Sequence, residues 1–344
     1  MEGGVTIGLR FGIYSLYDNE NIGNRLQNYA VQYIWRQYGS AFNRQPLYTS
    51  MQTRLKHLLW RVSGRKMERW FPQKQYRIYH ALDFNRHCLR FSRQTADFYV
   101  YGSDQIWNPY YAPDSLICPL TPKERNVAFC ASFGITRIPE LYESTFIQGL
   151  QRFTAISVRE ESGADLVERY TGTRPVVLCD PTMYVPVSHW LELAEKPSFP
   201  VSKPYVLSWF LGAETNNRTQ QIQTFARASG EAVWDGKGVS LSPQNWLYLM
   251  NQASYVVTDS FHTAVFSILL QKPFSVMERL DAPSGMGTRT EHLLKLFGLE
   301  RHLIHDGQPF CQDEGFEAAA HQLEIQRLRT DNFLTSVFTK DREL

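Results

Sequence analysis

The chain alternates short apolar segments with segments of helical spacing, and this alternation most constrains how it can fold. In the N-terminal half, strands are predicted at Phe11–Leu16, Phe98–Tyr101, Val127–Phe133, Ala155–Val158 and Val176–Leu178. After a proline-rich segment the pattern restarts, with strands at Tyr205–Phe210, Ala232–Trp234, Tyr255–Thr258 and Pro273–Met277. Strands that alternate with helices form parallel sheets. The sequence therefore predicts an α/β protein with two doubly wound, Rossmann-like domains that face each other across a cleft.

The proline-rich segment Lys196–Pro204 sets the predicted domain boundary, because three prolines in nine residues are typical of a linker. We predict an N-terminal α/β domain over residues 1–196, a C-terminal α/β domain over 204–330, and a tail or helix over 331–344. A chain of 344 residues is long enough for two such cores. The carboxyl ends of the strands are expected to line the cleft, where such sheets bind ligands.

Composition and cysteine spacing exclude several other classes. Hydrophobic residues make up 43% and charged residues 20%, which is typical of a globular protein. No stretch approaches the roughly 18 apolar residues of a membrane span, and the first residues lack the pattern of a secretory signal. The five cysteines are widely spaced without a C-x-x-C pair, so no metal site or disulfide framework is predicted. Free thiols in a cytoplasmic protein are expected.

The small net charge of +2 conceals a strongly basic segment. Residues 51–93 contain 11 Lys and Arg against 2 acidic residues, a net charge of +9, whereas the rest of the chain carries −7. Helical spacing puts the aliphatic residues Leu55, Leu58, Leu59 and Val62 on one face among these cations and two tryptophans, which predicts a basic helical insertion. It would lie on anionic lipid as a peripheral contact at the inner face of the membrane, or pack its apolar side on the core. No nucleic-acid partner is expected, because the remaining chain is acidic and no nucleic-acid-binding module is recognisable.

Polar motifs follow two strands of the N-terminal half. The loop that contains Asn21, Gly23 and Asn24 leads from the first strand into a helix, with Gly23 at the turn and Asn24 as the expected N-cap. The exposed amides at such a helix start favour anions, although an ordinary capped turn has the same pattern. Asp104 and Gln105 end the next strand beside Trp107. This trio suits a sugar, whose ring would stack on the indole, or else it is a capping Asp next to a core Trp.

Two further strand ends carry residues suited to anions and protons. Arg159 follows the strand Ala155–Val158, where its guanidinium could bind a carboxylate or phosphate, or pair on the surface with a neighbouring Glu. His262 follows the strand Tyr255–Thr258 at a helix start, and it is either a proton carrier near neutral pH or an ordinary polar residue of the first turn. Asp259 would orient His262 or cap its helix, and Asp180 is expected to form a turn before a proline.

Six segments together resemble the polysaccharide pyruvyl transferase family, in the family's order and over roughly residues 11–300. They are Asn21–Asn24, Tyr101–Asn108, Phe129–Gly134, Ile156–Ser162, Asp180–Thr182 and Val257–Thr263. The resemblance implies a GT-B-like fold and transfer of a pyruvyl group from phosphoenolpyruvate to two hydroxyls of a sugar. The product would be a cyclic ketal on a polysaccharide of the cell envelope, such as an exopolysaccharide, or on a lipid-linked glycan precursor. Phosphoenolpyruvate would be a substrate, and no metal or other cofactor is implied.

The resemblance also implies roles for single residues. The catalytic residues would be His262 and Arg159. The donor-binding residues would be Arg159, Ser260, Phe261, His262 and Arg289, mostly from the C-terminal domain. The acceptor-binding residues would be Asn21, Gly23, Asn24, Asp104, Gln105 and Trp107, from the N-terminal domain. Many members of the family have Arg-Leu-His where this chain has Ser260-Phe261-His262, so one expected cation is missing. Arg289 is the candidate replacement, and Arg301 is a weaker one.

Two other functions stay open at this point. A nucleotide-sugar-dependent glycosyltransferase of the same two-domain architecture would need a diphosphate loop and an acidic ribose ligand in the C-terminal half, and neither is evident. A non-catalytic glycan-binding relative would keep the fold without the chemistry, against which the presence of Arg159 and His262 argues.

Overall fold

The structure is a computed structural model that describes residues 8–16, 21–44, 84–85, 87–110, 117, 119, 121–236, 241–280, 287–313 and 315–340. Its strands form two sheets, and all strand pairs are parallel. The first sheet contains β1 (Arg10–Tyr14), β2 (Ser40–Asn43), β3 (Phe98–Tyr101), β4 (Asn126–Ala131), β5 (Ala155–Val158) and β6 (Val176–Val177). The second contains β7 (Tyr205–Trp209), β8 (Ala232–Trp234), β9 (Tyr255–Thr258), β10 (Phe274–Met277) and β11 (Leu303–Ile304). The predicted α/β class with two parallel sheets is confirmed.

Helices connect and cover these strands. Those that follow strands of the first sheet are α1 (Ile22–Arg36), α2 (Glu140–Leu150), α3 (Glu161–Thr171), α4 (Pro181–Tyr184) and α5 (Val187–Leu193). Those that follow strands of the second sheet are α6 (Asn216–Ala228), α7 (Pro243–Gln252), α8 (Phe261–Leu269), α9 (Thr288–Leu296) and α10 (Phe316–Lys340). The linker 196–204 lies between α5 and β7, and short 3-10 turns precede β4 and β11.

Both sheets have the same strand order. The first sheet runs β2-β1-β3-β4-β5-β6, and the second runs β8-β7-β9-β10-β11. In each sheet, the strand that comes first in the chain lies between the second and the third strand. The sheet therefore extends in opposite directions on the two sides of that first strand. A crevice opens at such a reversal beyond the carboxyl ends of the strands, which makes it the usual ligand site of an open α/β sheet. These crevices lie at β1/β3 in the first sheet and at β7/β9 in the second.

The two faces of the first sheet bury different helices because side chains alternate along each strand. Phe98 and Val100 of β3 pack in one cluster with Val31 and Ile34 of α1. Tyr99 of β3 packs on the opposite face, in a cluster that contains buried residues of α2 and α3. The second sheet is also covered on both faces, by α6 on one and by α7, α8 and α9 on the other.

The last helix returns to the first sheet. Phe333, Leu334 and Val337 of α10 are buried in the cluster that contains Phe11 and Trp35. The helix also continues through residue 330 to Lys340, so most of the predicted tail 331–344 is helical. The limits 1–196 and 204–330 remain a prediction, because a segment from the C-terminal part of the chain completes the core of the first sheet.

Most of the basic insertion 51–93 lies outside the described residues, which include only 84–85 and 87–93 of it. The predicted helix and the predicted lipid contact therefore lie outside the described residues and stay predictions. Among the helices that are described, none has the length and apolarity needed to cross a membrane.

Candidate active site

Charged residues from both sheets meet where the carboxyl ends of the strands face each other. Some of these residues lie in or after the loops that follow β1, β3, β5 and β6 of the first sheet. The others lie in the segments that follow β9 and β10 of the second sheet. Ion pairs join the two groups. The set, called the cleft cluster below, consists of Asn24, Asp104, Arg159, Asp180, His262 and Arg289.

Arg159 is the central cation of the cleft cluster and is only 4% exposed. Its Nη2 donates to Oδ1 of Asp104 at 3.2 Å, and its Nη1 donates to Oδ2 of Asp180 at 2.5 Å. Burial alone would lower the pKa of Arg159, but these carboxylates and Glu160 outweigh it and raise that pKa above its ordinary value. Arg159 is therefore a fixed positive charge, and the surface pairing considered from the sequence does not occur.

Asp104 is positioned by an unusual backbone conformation. Its φ of 73° lies in the left-handed region, which Asp tolerates better than most residues. Gly102 prepares this turn, since a Cβ on it would lie 2.0 Å from the carbonyl oxygen of Phe129. The Asp104 carboxylate accepts from Nδ2 of Asn24 at 2.7 Å. The buried carboxylate thus ends the loop beside Arg159.

Asp104 stays ionised despite its burial. Burial raises the pKa of the Asp104 carboxyl, but Arg159, His262 and Arg289, with the hydrogen bond from Asn24, outweigh it and hold that pKa at about 2. The Nη1 atom of Arg289 lies 3.7 Å from Oδ1 of Asp104. The predicted replacement cation is therefore in the cluster, whereas Arg301 pairs with Asp313 and is exposed.

Asp180 is held by the helix that follows it. It is the N-cap of α4, and its Oδ1 accepts from the backbone N–H of Thr182 at 3.0 Å and from the Thr182 hydroxyl at 2.7 Å. The other oxygen, Oδ2, faces Arg159 and lies 3.6 Å from Nε2 of His262. Burial opposes ionisation of Asp180, but His262, Arg159 and Thr182 lower the pKa of its carboxyl well below the usual range. The turn predicted from the sequence is present, and the same residue carries a buried negative charge.

His262 lies in the first turn of α8 and is 6% exposed. Its ring packs against the backbone of Gly23 at the start of α1, where a Cβ would lie 2.4 Å from both Cγ and Nδ1 of the imidazole. Gly23 is therefore required by a close approach between the two halves of the molecule. The ring also lies edge-on to Phe261, with the ring centroids 5.3 Å apart.

Ser260 and Phe261 shape the donor side of the cluster. Ser260 caps α8, with its hydroxyl accepting from the backbone N–H of Thr263. The centroid of the Phe261 ring lies 4.7 Å from the Cζ atom of Arg159 and 5.4 Å from that of Arg289. Such cation–π contacts stabilise charge at a site with little water. The apolar residue thus helps to hold two cations together.

The sugar-stacking role predicted for Trp107 is contradicted by its burial. The indole has no exposed surface and packs against Phe133 and Phe153. Gln105 is also enclosed, and its Oε1 accepts from Nδ2 of Asn108 at 2.9 Å. Both residues support the loop that carries Asp104. The alternative of a core Trp beside the polar residues is the one that the structure shows.

The N-cap of α1 lies three residues earlier than predicted. Asn21, and not Asn24, is the N-cap, with its Oδ1 accepting from the backbone N–H of Asn24 at 3.3 Å. The side chain of Asn24 is thereby available to Asp104. Asn21 and Gly23 serve as cap and close contact, so the loop builds the cluster through its backbone as well as its side chains.

Asp259 does not orient His262. Its two oxygens accept from the backbone N–H groups of Leu211 and Gly212 at 2.7 and 2.9 Å, in the loop after β7. Burial raises the pKa of the Asp259 carboxyl. It does not cap the His262 helix either, because Ser260 is that N-cap, and Asp259 instead fixes the neighbouring loop.

From the sequence, Asp180 was assigned too small a role, and Arg25 was not selected. Asp180 was assigned only to a turn, and its ion pairs depend on residues far away in the sequence. Arg25 has no exposed surface, and it donates to Oδ1 of Asn85 at 3.3 Å and to the carbonyl of Leu16 at 3.0 Å, besides bonding to Asn24. A cation that directly follows Asn24 in a helix start was the available signal. Among the described residues, no three His, Cys, Asp or Glu are grouped to hold a metal ion.

Comparison with known proteins identifies the family. The family described as polysaccharide pyruvyl transferase matches residues 21–280, which include the whole cleft cluster except Arg289. The chain belongs to the polysaccharide pyruvyl transferase family. No curated protein matches this family member by sequence.

Similar solved structures span most of this pyruvyl transferase family member. A Klebsiella pneumoniae protein is 12% identical with a TM-score of 0.48, covering 87% of this chain and 93% of that one. The UDP-GlcNAc 2-epimerase of Neisseria meningitidis is 10% identical with a TM-score of 0.45, covering 96% and 99%. The UDP-GlcNAc 2-epimerase of Methanocaldococcus jannaschii is 12% identical with a TM-score of 0.46, covering 93% of each chain.

Proposed function

We propose that this protein transfers the pyruvyl group of phosphoenolpyruvate to two hydroxyls of a sugar, in a polysaccharide or a lipid-linked glycan precursor. The observation that carries the proposal is the meeting of Arg159, Arg289 and His262 in one buried cluster. Two guanidinium groups suit the carboxylate and phosphate of the donor, because planar guanidinium groups bind such anions bidentately. An imidazole beside them suits a reaction that moves protons near neutral pH.

The reaction requires several proton transfers. A proton adds to C3 of phosphoenolpyruvate with the electron pair of the C2=C3 bond, and C2 becomes electron-deficient. One sugar hydroxyl bonds to C2 and loses its proton, the C2–O bond to phosphate breaks with its electrons, and phosphate leaves. The second hydroxyl then bonds to C2 and loses its proton, which closes the ketal. We assign proton transfer to His262 and stabilisation of the anionic groups to Arg159 and Arg289.

The charges of the cluster suit exchange with an anionic substrate. Asp104 and Asp180 already neutralise Arg159, with contacts of 3.2 and 2.5 Å. A donor with several negative charges would share these cations or displace the carboxylates from them. Removal of either carboxylate should therefore change the affinity for the donor, and loss of one of the cations should weaken donor binding most.

The loop after β7 argues against a nucleotide diphosphate at the second sheet. Backbone N–H groups of such loops often bind phosphate, yet those of Leu211 and Gly212 are taken by Asp259. A diphosphate would have to displace a buried carboxylate to reach them. This contact supports pyruvyl transfer over the glycosyltransferase considered from the sequence.

Ligand-dependent melting tests the donor. We expect phosphoenolpyruvate to raise the melting temperature, with no rise for UDP-, GDP- or CMP-sugars. His262→Gln should abolish phosphate release from phosphoenolpyruvate and a panel of synthetic or lipid-linked glycosides, while His305→Gln, at an exposed histidine, should not. Mass spectrometry of the glycosides would identify the added pyruvyl group. Stabilisation by a nucleotide sugar alone would replace the proposal with the glycosyltransferase.

A further inference from the structure

We propose that Asp180 is the positioning residue for His262, acting across the cleft on the Nε2 side of the imidazole. The inference rests on the proposed function for its catalytic meaning, and on the geometry for the contact itself. The Asp180 carboxylate follows the first sheet, whereas His262 follows a strand of the second. The histidine is thus oriented by a carboxylate from the opposite half of the molecule.

The carboxylate is fixed before it meets the imidazole. Both donors of Thr182, the backbone N–H and the hydroxyl, bind Oδ1 of Asp180. This leaves Oδ2 facing the cleft, where Nη1 of Arg159 donates to it. Asp180 is 1% exposed, so water does not compete for either oxygen. A carboxylate anchored at one oxygen presents the other in a single direction.

The imidazole is held on its other side by Gly23. The Gly23 backbone packs against Cβ, Cγ and Nδ1, so the ring cannot rotate toward α1. Nε2 is buried and has no hydrogen-bond partner among the described residues, and Oδ2 of Asp180 lies 3.6 Å from it. Catalytic hydrogen bonds are often long without substrate and shorten when it binds. We therefore assign the Nε2 proton to the contact with Asp180.

Other charged groups around the ring do not replace Asp180. Asp104 also lies near enough for His262 to lower its pKa, but its carboxylate is engaged by Asn24, Arg159 and Arg289. Asp259, three residues before His262, is bound to backbone N–H groups of the loop after β7. Arg159 and Arg289 are cations without an acceptor atom and cannot bind the Nε2 proton. Asp180 is the carboxylate whose oxygen faces Nε2.

The role would tie proton transfer to contact between the two halves. A neighbouring carboxylate favours the charged imidazolium and fixes which nitrogen carries the proton in the neutral ring. Separation of the halves would remove Asp180 and Gly23 from His262 together. The protein would then hold an active proton carrier only while the cleft is assembled.

Nitrogen NMR of the full-length protein with labelled histidine tests the contact without any substrate. The His262 signals are assigned by their loss in His262→Gln. In wild type we expect the Nε2–H tautomer, and in Asp180→Asn a mixture of the two tautomers. Asp306→Asn is the matched control, since Asp306 also accepts from a buried arginine, Arg218, and neither residue belongs to the cleft cluster. It should leave the His262 signals unchanged.

A second variant covers loss of folding in Asp180→Asn. Thr182→Val keeps the charge and the backbone N–H but removes the hydroxyl anchor of Oδ1. It should produce the same changes in the His262 signals, smaller in size. An unchanged His262 tautomer in whichever of the two variants is folded would overturn the proposal.

Kinetics separate positioning from binding. In Asp180→Asn we expect kcat to fall roughly tenfold or more, while KM for phosphoenolpyruvate changes much less. An unchanged kcat would also overturn the proposal. If phosphoenolpyruvate fails to bind wild type while the NMR changes occur, the proposed function fails and the Asp180–His262 contact stands.

Discussion

Gly23 and His262 touch across the cleft so closely that a Cβ on Gly23 would lie 2.4 Å from Nδ1 of the imidazole. One residue opens α1 in the first half, and the other opens α8 in the second. If either residue were displaced by the width of a methyl group, the starts of α1 and α8 would have to separate. The contact therefore makes the size of a single residue a condition for assembling the cluster.

Gly23→Ala should weaken donor binding. The added methyl must displace the His262 ring from its present position beside Asp180, and overpacking of this kind costs about 1–3 kcal/mol. We expect calorimetry to show roughly tenfold weaker binding of phosphoenolpyruvate or a greater loss. Gly8→Ala is the control, because no atom of the described residues lies within 4 Å of a Cβ at Gly8. Equal binding by both variants would show that the close approach is not needed.

Arg159→Ala should destabilise the protein as well as inactivate it. The change leaves Asp104 and Asp180 as buried carboxylates without their main cation, which costs about 3–5 kcal/mol for a buried pair. Urea unfolding would measure the loss. Arg174→Ala is the control, since Arg174 pairs with three acidic residues but is exposed, and it should cost much less. Similar losses would argue against strong coupling within the cluster.

Leu334→Ala should show that α10 belongs to the core of the first sheet. Leu334 has no exposed surface, and its truncation should lower the free energy of unfolding by about 2–5 kcal/mol. Leu328, on the same helix, is 61% exposed. Its change to Ala should cost no more than about 0.5 kcal/mol. A small effect at both positions would indicate that α10 does not pack as described.

His302 should make folding stability depend on pH. Its ring is buried against Phe274, and burial lowers the pKa of His302. Below about pH 6.5, the unfolded chain therefore binds a proton at His302 more readily than the folded protein does. The contribution of the neutral His302 ring to stability is fully present above that pH and is lost as the pH falls. In urea unfolding from about pH 7.5 to about pH 5.5, His302→Gln should flatten the decline. The exposed-site control His305→Gln should decline as wild type does, and a wild-type decline in His302→Gln would contradict the assignment.

Local patterns were sufficient for most of the sheets. The strands Phe98–Tyr101, Ala155–Val158, Ala232–Trp234 and Tyr255–Thr258 have the predicted bounds. Short buried strands between turn residues carry this signal within a few positions. The strand Ser40–Asn43 was missed because its four residues include only two apolar ones.

The candidate site was predicted as residues but not as an arrangement. Arg159, His262 and Asp104 were each selected at the end of a strand or start of a helix, Arg289 was selected as a replacement cation, and the structure brings them together. Trp107 was misassigned because an indole beside polar residues looks the same in sequence whether it faces a sugar or Phe133. Asp180 was underestimated because its N-cap contact is local, whereas its contacts with Arg159 and His262 are not.

The sequence by itself determined the α/β class, the two parallel sheets and the family, because these depend on short-range patterns and on motifs in order. Only the tertiary structure decided that Asp180 and not Asp259 faces His262, that Gly23 must lack a side chain, and that α10 completes the first core. Each of these depends on which surfaces meet after the two sheets fold. Distances between residues far apart in the chain are set by packing, which no local pattern contains.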